Sequence, residues 1–120
     1  MTRTPDRPSF AALVQDFFCD RLIQQQDVSD HTVASYRDTF RLLLRYCDQR
    51  QGKSPDKLQP NDLDATVVLA FLDDLERGRG NSARTRNARL AAIHSFMKYV
   101  QGRDPSLLAM AQRVLAIPAK

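Results

Sequence analysis

The chain contains no tryptophan, two cysteines, four glycines and six prolines in 120 residues, and each scarcity excludes something. Cys19 and Cys47 stand far apart with no C-x-x-C spacing, so neither a redox motif nor a zinc site is indicated, and both read as reduced thiols. Glycine and proline fall at apparent element boundaries, which argues against low complexity. No run of about 18 apolar residues occurs. Residues 1–9 are polar, hold Pro5 and Pro8 and lead into no apolar stretch, so the reading is a soluble, cytoplasmic chain with no membrane partner. No segment alternates apolar and polar residues as a half-buried strand requires. The length suits one domain that can bury a core without disulfides or a structural metal.

The most informative absence is of negative charge. Between Glu76 and Asp104 the chain carries Arg77, Arg79, Arg84, Arg86, Arg89, Lys98 and Arg103 and not one carboxylate. The formal net charge is +4 with a pI near 9.4, so the rest of the chain is acidic on balance and the charge is polarised. Such a footprint suits a polyanion, because each phosphate contact releases condensed counterions. It also suits a solvated basic face.

What is present is helical periodicity. A first helix is expected from a Ser9 cap to about Gln26, with Phe10, Leu13, Val14, Phe17, Phe18 and Leu22 on one side and Cys19 off it. A second follows a cap at Ser29 or Asp30, carries Val33, Tyr36, Phe40, Leu43, Leu44 and Cys47 inward, and stops before Gly52. Residues 51–61 read as the one substantial loop, with no need to be ordered. A third helix starts near Asp62 or Asp64, buries Val67, Val68, Phe71, Leu72 and Leu75, and ends in the turn Arg77, Gly78, Arg79, Gly80. Ser82 caps a fourth that runs to about Val100 or Gln101, and a short fifth spans residues 106–115. The fold class is therefore all-α, a compact bundle of four to five helices, with Leu42, Leu69 and much of the fifth helix left apolar outside it. Residues 1–8 are expected to be a disordered tail and 9–116 the folded domain.

On a helical wheel the fourth helix buries Leu90, Ile93, Phe96, Met97 and Val100 and turns Arg84, Asn87, Ala91, His94, Ser95 and Lys98 outward. The outward set suits a DNA groove: cations for phosphates, Asn for base edges, and small residues that allow close approach. Arg86 and Arg89 fall at the edges of the buried arc, where they either brace the helix or reach a flanking phosphate, and Arg86 ranks above Arg89 for DNA. Backbone N–H groups between Ser82 and Thr85 add an anion site. Arg37, Arg41 and Arg45 form a weaker row on the second helix, offset by Asp38. A neutral His94 becomes cationic below about pH 6.5, so DNA affinity is expected to rise on acidification.

The segments VSDHTVASYRDTFRLLLRYC and GNSARTRNARLAAIHSFMKYV together resemble the core-binding, SAM-like N-terminal domain of tyrosine site-specific recombinases, the phage-integrase and Xer-like family. The resemblance rests on Ser29, Thr32, Tyr36 and Arg37, and on a T-x-N-x-R-L-x-x-I-x-S-F pattern made by Thr85, Asn87, Arg89, Leu90, Ile93, Ser95 and Phe96. Ala88 and His94 depart from it, where the family frequently has Arg. It implies one half of a clamp around double-stranded DNA, with Thr32, Ser35, Tyr36, Arg37, Arg84, Thr85, Arg86, Asn87, His94 and Lys98 facing the duplex at a recombination half-site. It further implies that residues 117–120 begin a linker to a catalytic domain, and that this domain and neighbouring protomers are partners. The family's nucleophilic tyrosine belongs to that other domain, and no H-x-x-R segment accompanies Tyr36, Tyr46 or Tyr99, so this chain is expected to have no catalytic residues, metal, cofactor or small-molecule ligand. Two other readings remain open: a helix-turn-helix regulator, and an interaction bundle that meets an acidic protein. Displacement of about six phosphate counterions would lower DNA affinity on the order of a thousandfold between 50 and 200 mM salt.

Overall fold

In the computed structural model, residues 9–23, 29–78, 80 and 82–120 are described, and the expected tail 1–8, the end of the first helix and Arg79 lie outside them. Five α-helices follow one another: α1 (Phe10–Phe17), α2 (Asp30–Gln51), α3 (Ala65–Gly78), α4 (Ala83–Arg103) and α5 (Leu108–Leu115). Every regular element among the described residues is helical. A π-helical turn, Phe18–Ile23, extends α1. Single 3-10 turns, Pro60–Asp62 and Pro105–Leu107, precede α3 and α5.

Local chemistry sets the boundaries. Ser9, Ser29 and Ser82 each accept the backbone N–H three residues on, at 3.2, 3.1 and 3.2 Å, which satisfies one of the donors that every helix start leaves open. Asp64 does the same for Val67 at the start of α3, at 3.0 Å. At the other end of α2, Gly52 adopts φ 68° and donates to the Cys47 carbonyl, a left-handed cap that glycine takes without Cβ strain.

The core centres on Phe96 of α4. Its ring lies 5.4 Å from Phe10, 5.6 Å from Phe17 and 5.3 Å from Phe40, each contact edge-on. These geometries match the quadrupoles of the rings and lock α1, α2 and α4 together. Further along, Leu90, Ile93, Met97 and Val100 meet Val68, Phe71 and Leu72 of α3 and Met110, Ala111 and Val114 of α5 in one buried cluster.

Two features go beyond what the sequence reading specified. The loop after α2 is ordered: Leu58 and Leu63 are fully buried, Pro60 is buried, and the Leu58 carbonyl accepts from Phe10 N–H at 3.1 Å. Hydrophobic burial inside a segment without periodicity has no wheel signature. The buried arc of α4 is also wider than its apolar stripe, because α4 packs against α1, α2, α3 and α5 at once and so buries Arg86, Ala92 and Tyr99 as well.

Candidate nucleic-acid interface

The expected cationic ridge divides into free and occupied charges. Arg84 and Lys98 are exposed on α4, with no hydrogen bond or ion pair among the described residues. Between them run Ala88 and Ala91, both exposed, and the half-buried Ser95. Fourteen residues of helix separate the two cations by about 21 Å.

Arg86 is the clearest correction. Its side chain is 6% exposed, and Nε lies 3.3 Å from Glu76 Oε1. Nη1 donates to the Pro118 carbonyl at 3.2 Å and to Asn87 Oδ1 at 3.3 Å. The position faces inward on a helix packed from several sides, so its charge is spent inside the fold. Asn87, also expected outward, forms a paired contact with the backbone of Lys120: Nδ2 donates to the carbonyl at 2.8 Å, and Oδ1 accepts the N–H at 2.9 Å. His94 donates from Nε2 to the Val114 carbonyl at 3.0 Å. Seven residues further on, Gln101 accepts from Gln112 at 2.8 Å. Asn87, His94 and Gln101 thus make a polar seam at heptad spacing that joins α4 to α5 and the segment after it.

Other described cations in the carboxylate-free stretch are likewise occupied. Arg103 bridges Asp20 at 3.1 Å and Asp16 at 3.3 Å, and donates to the Tyr99 hydroxyl at 2.6 Å, which in turn donates to Asp20 at 2.8 Å. Burial and the bond to Asp20 push the Tyr99 hydroxyl up to about 12, against the opposing pull of Arg103. Arg77 pairs with Asp73 at 3.3 Å on the surface of α3. Distant acids in sequence become neighbours in space, which the charge count could not register.

Arg89 sits in the seam between α2 and α4. Its Nη1 donates to the Ser35 carbonyl at 3.2 Å and Thr39 Oγ1 at 3.1 Å, while its buried Nε finds no partner among the described residues. Bracing is therefore its role, and Ser35 contributes through its carbonyl. Thr32 and Thr85 occupy equivalent places: each hydroxyl approaches the capping serine of its own helix, at 3.1 and 3.3 Å. The repeated S-x-x-T spacing was the signal for that role. Tyr36 stacks on Phe17 at 6.4 Å and packs against the core. Arg37 is exposed and lies over the Phe18 ring at 5.8 Å, on the α1 side of α2; Arg41 contacts Asp38 at 3.8 Å; Arg45 is exposed without an acidic partner among the described residues.

No group of three or more metal-binding side chains occurs among the described residues, nor is any described helix long and apolar enough to cross a membrane.

Comparison with known proteins gives a consistent picture. The family described as phage integrase, N-terminal SAM-like domain, matches residues 15–103. The putative integrase/recombinase y4rC of Sinorhizobium fredii is 51% identical over 112 residues, which cover 93% of this chain and 34% of the relative. A second protein of that organism, y4rD, is 46% identical over 92% of this chain and 39% of its own length. Tyrosine recombinase XerC of Pseudomonas savastanoi is 32% identical over 71% of this chain and 26% of its own length. The chain thus spans about a third of the length of these relatives. No solved structure matches.

Proposed function

We propose, from the premise that this chain belongs to the phage integrase N-terminal SAM-like domain family, that it grips double-stranded DNA at a recombination half-site through the exposed strip of α4. The carrying observation is the strip itself: two cations, Arg84 and Lys98, with no partner among the described residues, flank small residues, and no carboxylate lies on the helix. A separation of about 21 Å lets the two reach backbone phosphates on opposite sides of a major groove about 12 Å wide, with Ala88 and Ala91 at closest approach. Arg37 and Arg45 on α2 supply secondary phosphate contacts. The chain cuts no DNA by itself, since strand cleavage would belong to the remainder of a longer recombinase. That remainder and neighbouring protomers would meet apolar surface such as Leu69 and Leu108, which are 46% and 48% exposed. The compartment that goes with this proposed role is the cytoplasm.

With four phosphate contacts in place of six, affinity should fall by on the order of a hundredfold between 50 and 200 mM salt. Fluorescence anisotropy with a labelled duplex reads this directly. Arg84→Ala and Lys98→Ala should each reduce the log–log salt slope by about one, whereas Arg103→Ala should leave it unchanged. Binding that ignores salt, or that survives both α4 substitutions with the parent slope, would sink the proposal. A symmetric footprint on a palindrome would favour a helix-turn-helix dimer instead.

A further inference from the structure

The last four residues do not hang free. Ile117 is 5% exposed, wedged into the core after α5. The Pro118 carbonyl is held by Arg86 at 3.2 Å, and both backbone groups of Lys120 are held by the Asn87 amide at 2.8 and 2.9 Å. The Lys120 ammonium closes the arrangement on Glu76 at 2.9 and 3.1 Å, the same carboxylate that meets Arg86 at 3.3 Å. Two side chains of α4 thus hold the backbone of this short segment, and Glu76 of α3 holds the side chain of its last residue. An asparagine amide that pairs with both N–H and C=O of a residue fixes its orientation, since a single bond would let the chain swing.

We propose that Glu76, Arg86 and Asn87 are positioning residues that dock residues 117–120 along α4, so that any chain following Lys120 leaves in one fixed direction relative to the strip carrying Arg84 and Lys98. The relatives are far longer than the segment matched here, so further chain accompanies it in them. The consequence for DNA rests on the function proposed above: a second domain would start from a set angle to the DNA-facing helix. The docking itself does not depend on it.

Amide exchange of the 120-residue chain, followed by NMR, tests the docking without DNA. The Lys120 amide should be protected, and Asn87→Ala should speed its exchange by roughly threefold to tenfold while the amides in the middle of α4 keep their rates. Glu76→Gln should loosen the same residues. Electron spin-label distances between Ala91→Cys and Ala119→Cys, in a Cys19→Ser background, should show one narrow population that broadens with Asn87→Ala. An unprotected Lys120 amide, or a distance distribution already broad and indifferent to Asn87→Ala, overturns the proposal. Asn87→Ala removes no charge, so the DNA salt slope should stay as in the parent. Docking without duplex binding would refute the DNA reading alone, and duplex binding without docking would refute this one alone.

Discussion

Arg84 and Arg86 stand two positions apart and have opposite fates. On a helix that spacing turns the side chain by about 200°, so one guanidinium meets solvent and the other meets Glu76 in the interior. Arg86→Ala should therefore destabilise the domain by about 3 kcal/mol, the cost of stripping one partner from a buried pair, and urea unfolding reads this. The cysteines differ in the same way. Burial, assisted by Asp62 and opposed by Lys53, pushes the Cys47 thiol up to about 11, while Cys19 is exposed. Iodoacetamide at pH 8 should modify Cys19 alone until the protein unfolds, and rapid labelling of both would contradict the burial. For Tyr99 the folded value of about 12 exceeds the reference value of 10.0. A raised value means that its stabilisation is complete below the unfolded value and is lost as pH climbs towards the folded one. Stability should decline between about pH 10 and 12, and Tyr99→Phe should flatten that decline in thermal melts.

Among the elements, the segment between α2 and α3 departs most from expectation. Leu58 and Leu63 anchor it, and Asp62 braces it through Lys53 at 2.7 Å and the Gln59 N–H at 2.8 Å. Burial acts to raise the Asp62 carboxyl, but those two bonds outweigh it and hold it below the usual range. Leu58→Ala should cost about 2–5 kcal/mol, the range for core leucines, and a loss below 1 kcal/mol in chemical denaturation would mean that the segment is not pinned. Gly52→Ala should cost about 1 kcal/mol, because φ is positive although the space around a Cβ is open. The polar seam of α4 behaves as a unit of packing. His94→Ala should lower stability by roughly 1 kcal/mol and leave duplex affinity near the parent value, the reverse of what a DNA-facing histidine would give.

For the molecule as a whole, charge polarisation survives folding in reduced form. Acids that sequence places far from the basic stretch, Asp16 and Asp20 above all, fold back onto it through α1 and neutralise Arg103. Glu76 at the edge of the stretch takes Arg86 and Lys120. What remains exposed is narrow and borders on small residues, a better shape for a groove than a broad basic face, though with fewer phosphate contacts and a shallower salt dependence.

The sequence by itself determined the all-α class, the capping serines, the glycine that ends α2, the inward stripes and the family, because these rest on local periodicity, cap chemistry and residue pattern. It could not show which cations stay free. Arg86, Asn87 and His94 lie on a helix whose neighbours are fixed only when five helices assemble, and their partners Glu76, Val114, Pro118 and Lys120 are 10 to 33 residues away. Leu58 and residues 117–120 were illegible for the same reason, since burial without periodicity arises from contacts between distant segments and leaves no mark on the local chain.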